Sequence, residues 1–195
     1  EIWDGVHQRL QKGKQLRPSV VKEIVELLAP FDLSISIIYP DGRHLVSKMD
    51  RFTKESMYRN PNDRYEFPKD LSALWQEEAP KVLCRIDEER MPQLEAYVKA
   101  HPSPHYWGFK TRPDIYEFMD PENTKSNGLR RICRLLDISL EEVMAFGDTT
   151  NDNDLLACCY GVCMANGSED TKAFSKDVTR YTNNENGVGD YIERH

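Results

Sequence analysis

Over the last third of this 195-residue chain short apolar runs alternate with helical stretches, and no other feature limits the fold as strongly. VMAF (143–146) precedes a helix over 151–159. GVCMA (161–165) precedes the helical SEDTKAFS, with Ser168 at the N-cap position. DVTRYT precedes a last helix over 187–194. Strand followed by helix, repeated, implies a parallel sheet, because parallel neighbours need a crossover connection and a helix is the usual one. Upstream, a helix over 127–137 carries Leu129, Ile132, Cys133 and Leu136 on one side. Ser139 and Glu142 then have capping-box spacing before VMAF, which reads as a short buried strand.

The earlier residues follow another order. EIWDGVHQRL is strand-like and opens on Glu1 with no cap or turn before it, so the chain is expected to begin in mid-fold. RPSVVKEIVELLAP reads as a helix with Pro18 in its first turn, an apolar face of Val20, Val21, Ile24, Leu27 and Leu28, and Pro30 at its end. SISIIY and HLVSKM flank the turn PDGR. Residues 50–69 read as an irregular polar excursion in which Phe52, Met57, Tyr58, Tyr65 and Phe67 are partly buried. A short helix (DLSALWQEE), a strand (KVLCRI), a helix over 88–100 striped by Met91, Leu94, Tyr97 and Val98, and two strands parted at Arg112, Pro113 and Asp114 complete this half. Paired strands with helices on one face make an α+β unit. The join lies near 120–124, giving domains of 1–119, with a short core-linked strand at the N-terminus, and 120–195.

Composition narrows the function. With 39% hydrophobic and 30% charged residues the chain is an ordinary soluble one, and its net charge of −7 repels phosphate backbones, which excludes general nucleic-acid binding. No apolar run approaches the ~20 residues that span a bilayer, and no signal-peptide pattern opens the chain, so a cytoplasmic protein is expected. Cys84, Cys133, Cys158, Cys159 and Cys163 are odd in number and fit no zinc template; they read as reduced small hydrophobes. Trp75, Trp107, Tyr106, Tyr116 and Arg112 are candidates to line a pocket, although aromatics at such positions are more often packing.

The chemistry concentrates in GDTTND (147–152). In a parallel sheet, ligands gather beyond the carboxyl ends of the strands, which is where Asp148 leaves VMAF. Asn151 and Asp152 follow in the first turn of the next helix, where backbone amides favour anions. Oxygen ligands without His or Cys favour Mg²⁺ over zinc, and Mg²⁺ takes one or two carboxylates together with water and substrate phosphate. Lys125 precedes a helix expected to enter the same sheet and has the charge to neutralise a phosphate.

TKSNGLRRI, EEVMAFGDTTNDNDLL and YGVCMANGSEDTKAFSKDVTRYTNNENGVGDYIE, in this order over about 123–193, resemble the C-terminal half of the haloacid-dehalogenase superfamily, specifically the Cof-type phosphatases of subfamily IIB. The resemblance implies a partial Rossmann-like α/β core of parallel strands with an α+β cap that selects the substrate. It implies Lys125 as the lysine that steadies nucleophile and phosphoryl group, Asp148 as a direct Mg²⁺ ligand, Asp152 as a ligand direct or through water, and Asn151 as support for metal and phosphate. The implied reaction is hydrolysis of small phosphate monoesters, of sugars or cofactors, through an aspartyl-phosphate intermediate.

One departure is large. The family's D-x-D-x-T/V strand and its phosphate-binding Ser/Thr strand have no counterpart; EIWDG comes nearest, with Asp4 in place of the second aspartate and Ile2 in place of the nucleophile. At ~30 residues per βαβ unit, the missing portion is on the order of 60–90 residues. The chain alone is thus expected to be inactive, with apolar faces of VMAF and GVCMA left exposed and prone to aggregate. The alternative is a truncated, non-catalytic relative that binds a phosphorylated metabolite or a partner. A nucleotide-binding module is disfavoured, since no glycine-rich loop follows any strand. Neither oligomeric state nor substrate identity is written in the sequence.

Overall fold

The computed structural model describes residues 13–195 in full, preceded by the backbone of two short antiparallel strands, β1 (Ile2–Asp4) and β2 (Arg9–Gln11). The side chains of EIWDG, Asp4 included, lie outside the described residues. The chain folds as two units: Gly13–Pro121, and Glu122–His195 grouped with the first twelve residues. The boundary falls between Pro121 and Glu122, and β1 and β2 group with the second unit.

In the first unit α1 (Pro18–Leu28) starts on its proline, whose missing N–H costs nothing in a first turn, and buries Val20, Val21, Ile24, Val25 and Leu28. β3 (Ser34–Ile38) and β4 (Arg43–Val46) form the hairpin around PDGR. Next come α2 (Arg51–Arg59), β5 (Arg64–Glu66), a 3-10 turn at Leu71–Trp75, β6 (Val82–Arg85), α3 (Met91–Ala100), β7 (Trp107–Arg112) and β8 (Ile115–Met119). The six strands order as β5-β4-β3-β6-β8-β7, antiparallel except for the parallel pair β4 and β5. Strand alternation sorts the side chains. Ile35, Ile37, Leu45, Val82, Cys84, Tyr116 and Phe118 share one core with α1 and with Met91, Leu94 and Val98 of α3.

Residues 50–69 are not irregular: they hold α2 and β5. Asp50 caps α2 by accepting a hydrogen bond from Thr53 N at 2.8 Å, and buried Thr53 meets Ser34 hydroxyl to hydroxyl at 3.1 Å. Ser34 lies on the face away from Ile35 and Ile37, so helices cover both sheet faces rather than one. The segment reads as a loop because it shields a polar face, so its inward side needs hydroxyls instead of aliphatics. Tyr58 and Phe67, expected to be partly buried, are exposed.

The second unit runs α4 (Lys125–Leu136), a 3-10 turn at Leu140–Glu142, β9 (Met144–Gly147), a 3-10 turn at Thr150–Asp152, α5 (Asn153–Cys158), β10 (Tyr160–Cys163), α6 (Glu169–Lys172), β11 (Asp177–Val178) and α7 (Gly187–Arg194). β11, β10 and β9 form a parallel sheet in that order. The Ser139–Glu142 capping box forms, and Ser168 caps α6. β9, a short strand expected to keep an apolar face open, is half-open: Met144 is 40% exposed, and among the described residues β9 pairs with β10 alone. GVCMA, by contrast, is not left exposed, since β10 is the middle strand and Val162 and Cys163 are fully buried. Of the stripe expected on α4, Cys133 is buried, while Ile132 and Leu136 face solvent. All five cysteines are free thiols. Among the described residues no helix is long and apolar enough to cross a membrane.

Candidate functional site

β9 ends at Gly147, and the next 3-10 turn folds the Asp152 carboxylate back beneath the strand end. Asp152 Oδ2 accepts hydrogen bonds from Asp148 N at 3.1 Å, Thr149 N at 3.2 Å and Thr149 Oγ1 at 3.3 Å. Its other oxygen, Oδ1, takes the Lys125 ammonium. The Asp152 side chain is only 6% exposed. Glycine at 147 is what permits this fold-back, since a Cβ there would lie 2.5 Å from Asp152 Cβ and 2.8 Å from its Cγ. Asn151 Oδ1 accepts from Thr149 Oγ1 at 2.5 Å. Asp148 stands half-exposed just past the strand, and one carboxylate oxygen accepts from Asn183 Nδ2 at 3.3 Å.

Lys125 begins α4, 27 residues before Asp152, and two further residues hold the helix start in place. Thr124 caps it by accepting from Asn127 N at 3.2 Å. Asp154, at the start of α5, accepts from Ser126 N at 3.1 Å. Lys125, Asp148, Asn151 and Asp152 thus gather at one strand end. Thr149, Asp154 and Asn183 complete the cluster and were not singled out in the sequence. Thr149 sits at capping-box spacing from Asp152, which is a readable signal. Asn183 is 35 residues beyond Asp148 with no local pattern to mark it.

Two carboxylates titrate unusually. Burial pushes Asp152 up, but the Lys125 ammonium and the amides of Asp148 and Thr149 outweigh it and hold the carboxyl below its usual range. Burial likewise raises Asp154, against the stronger lowering by Ser126, Thr124 and backbone amides. A depressed pKa means that Asp152 contributes stability in full above its unfolded value near ~3.9 and loses that contribution as pH falls through the lower folded value. Lys125→Ala removes much of the depression. Wild type should therefore exceed the variant in urea stability at about pH 6, and the gap should close towards about pH 2.5. A gap of equal size at both pH values would mean that the ion pair is not its source.

Among the described residues no group of three or more His, Cys, Asp or Glu side chains is arranged to hold a metal ion. The donors at this strand end fit part of a Mg²⁺ shell: oxygen ligands only, with Asp148 retaining lone pairs and Asp152 engaged on both oxygens.

Residues 3–192 match the haloacid dehalogenase-like hydrolase family. A Bacillus subtilis (strain 168) protein, YxeH, named provisionally as a phosphatase, is 32% identical over 214 aligned residues that cover 98% of this chain and 76% of that protein. The chloroplastic endoribonuclease YBEY of Arabidopsis thaliana is 37% identical over 87 residues, 44% of this chain but only 15% of that protein's length. A haloacid dehalogenase-like hydrolase from Bacteroides thetaiotaomicron superimposes with a TM-score of 0.76 at 22% identity, covering 97% of this chain and 71% of its own. A family match across both units, over the same parallel strands and the same GDTTND turn, leaves one assignment: this chain belongs to the haloacid dehalogenase-like hydrolases.

Proposed function

We propose that the protein containing this chain hydrolyses small phosphate monoesters, of sugars or cofactors, in a Mg²⁺-dependent reaction through an aspartyl-phosphate intermediate. The observation that carries the reading is the Lys125 ammonium seated on buried Asp152, beside Asp148, at the carboxyl end of a parallel strand. Asp148 would hold Mg²⁺ directly, and Asp152, engaged on both oxygens, would act on it through water. Bound Mg²⁺ would supply positive charge to the phosphoryl oxygens. Asp152 fixes the position of the Lys125 ammonium, so that its charge needs no reorganisation when negative charge develops on a phosphoryl group. Asn151 and Thr149 hold the turn that aims Asp148.

An aspartyl-phosphate route needs a carboxylate nucleophile. No D-x-D-x-T/V run occurs in these 195 residues, and none of them is assigned that role. No turnover is expected from residues 1–195 alone. Free thiols throughout suit a reducing, cytoplasmic setting. The test is hydrolysis of p-nitrophenyl phosphate by the whole protein. Activity should appear with Mg²⁺, vanish with EDTA and return with excess Mg²⁺. Activity indifferent to EDTA would remove the metal from the proposal, and no activity on any phosphate ester would favour the binding-only alternative.

A further inference from the structure

Two of the free thiols, Cys158 and Cys159, are neighbours in sequence, and α5 ends between them. Within a helix, consecutive side chains point about 100° apart and do not face each other. Here they do meet. Cys158 is the last residue of α5, whereas Cys159 has left the helix for extended backbone, with φ −143° and ψ −159°. The change of direction brings both side chains to one carbonyl. Cys158 Sγ donates to Leu155 O at 3.2 Å, and Cys159 Sγ donates to the same oxygen at 3.3 Å. The bend is held from its far side. Tyr160 N donates to Val143 O at 3.0 Å, and Gly161 N donates to Cys159 O at 3.0 Å.

The two sulfurs differ in access. Cys158 is half-buried, while Cys159 is 4% exposed. Burial, helped by the Cys158 thiol beside it, pushes the Cys159 thiol up to about 11, so it stays protonated at neutral pH. Cys133 of α4 is a third buried thiol close enough to act on Cys159. Among the described residues, however, no three His, Cys, Asp or Glu side chains are arranged to hold a metal ion.

Geometry sorts the partners that take two thiols. A disulfide needs Cα atoms about 4.4 Å or more apart, and consecutive residues place them only about 3.8 Å apart. A soft monovalent metal ion such as Cu⁺ prefers its two sulfurs on opposite sides, whereas sulfurs that share one carbonyl lie on the same side. Trivalent arsenic is pyramidal: it takes two sulfurs on one side, and the added atom lengthens the bridge between them. We propose that Cys158 and Cys159 form a binding site for monosubstituted trivalent arsenicals, R–As(OH)₂. Two As–S bonds form and two As–OH bonds break. The two thiol protons leave with the two hydroxyl groups as water. Arsenic stays trivalent, so the step consumes no oxidant or reductant, and a protonated Cys159 brings the proton it must lose. Half-buried Cys158 condenses first. Cys159 then closes the ring, an intramolecular step worth about 10²–10⁴ in affinity.

The proposal goes beyond the hydrolytic reading and does not depend on it. The probe is phenylarsine oxide, which hydrates to the R–As(OH)₂ form, added in equimolar amount to the reduced whole protein. Intact mass should show one phenylarsenic group bound, and peptide mapping should place it on Cys158 and Cys159. Excess glutathione, a monothiol, should remove it slowly, and 2,3-dimercaptopropanol, a dithiol, should remove it fast. Cys158→Ser and Cys159→Ala each leave one sulfur of the pair, and glutathione should strip them about a hundredfold faster than wild type. Cys158→Ser changes a half-buried position and tests the pair even if Cys159→Ala fails to fold. Cys133→Ala should behave as wild type. Absence of the adduct, its location on other cysteines, equally fast stripping of wild type and Cys158→Ser, or its loss in Cys133→Ala would each overturn the inference.

Discussion

Asp148→Asn is expected to lower the whole protein's kcat on a phosphate monoester by about a thousandfold or more while leaving its thermal stability within ~0.5 kcal/mol of wild type. The two halves of this expectation separate a chemical role from a structural one. Asn has the shape of Asp and still offers an oxygen to Asn183 Nδ2, so the turn survives. Asn also suits turns as well as Asp does, so a purely conformational Asp148 predicts near-normal activity. What the substitution removes is the negative charge that a hard cation needs. Less than a tenfold loss, measured as kcat at saturating Mg²⁺, would put the charge of Asp148 outside the reaction.

Gly161→Ala should be the most damaging single-methyl change in the second unit. A Cβ at 161 would lie 2.2 Å from Leu156 O, 2.5 Å from its Cα and 2.7 Å from its carbonyl carbon. All three are backbone atoms, so no rotamer change relieves the clash. α5 must move away from β10, and Leu156, fully buried, moves with it. A loss of more than about 4 kcal/mol in urea unfolding, or insoluble expression, is expected. Gly128→Ala in α4 is the control. Nothing lies within 4 Å of its Cβ position, and alanine there should stabilise by about 0.5–1 kcal/mol. Equal behaviour of the two variants would refute the packing argument.

What the sequence revealed depends on how local the cause is. Caps and turns came through: Ser139 with Glu142, Ser168 and Pro18 act within a few residues, and each forms the contact its spacing implies or sits where its ring is harmless. The parallel order of β9, β10 and β11 was legible because each crossover is written in the chain between the strands. Burial was less legible. The stripe of α4 looks like core by type, yet Ile132 and Leu136 are exposed, since burial depends on neighbours that periodicity does not name; the opposite expectation, an exposed apolar face, holds for VMAF at Met144 and not for GVCMA. Residues 50–69 failed for the opposite reason. Their partner is a polar sheet face, so α2 lacks the aliphatic stripe that announces a packed helix. Of the pocket candidates, Tyr106 and Tyr116 belong to the core, whereas Arg112 does line a cavity within the first unit. At the strand end, Lys125, Asp148, Asn151 and Asp152 were reached through motif order, while Asp154 and Asn183 join only through tertiary folding.

The two faces of the first unit's sheet have consequences for how this protein can change over generations. Folding stability resides where α1 and α3 meet Ile35, Ile37 and Phe118. Ser34, Ser36 and Leu83 lie on the reverse side, which one short helix, α2, covers through polar contacts such as Ser34 with Thr53. Exchanging side chains between 50 and 69 therefore leaves the aliphatic interior intact. Substitutions can accumulate there with little loss of folding free energy, so descendants of one ancestor are free to diverge on this face while sharing the same scaffold.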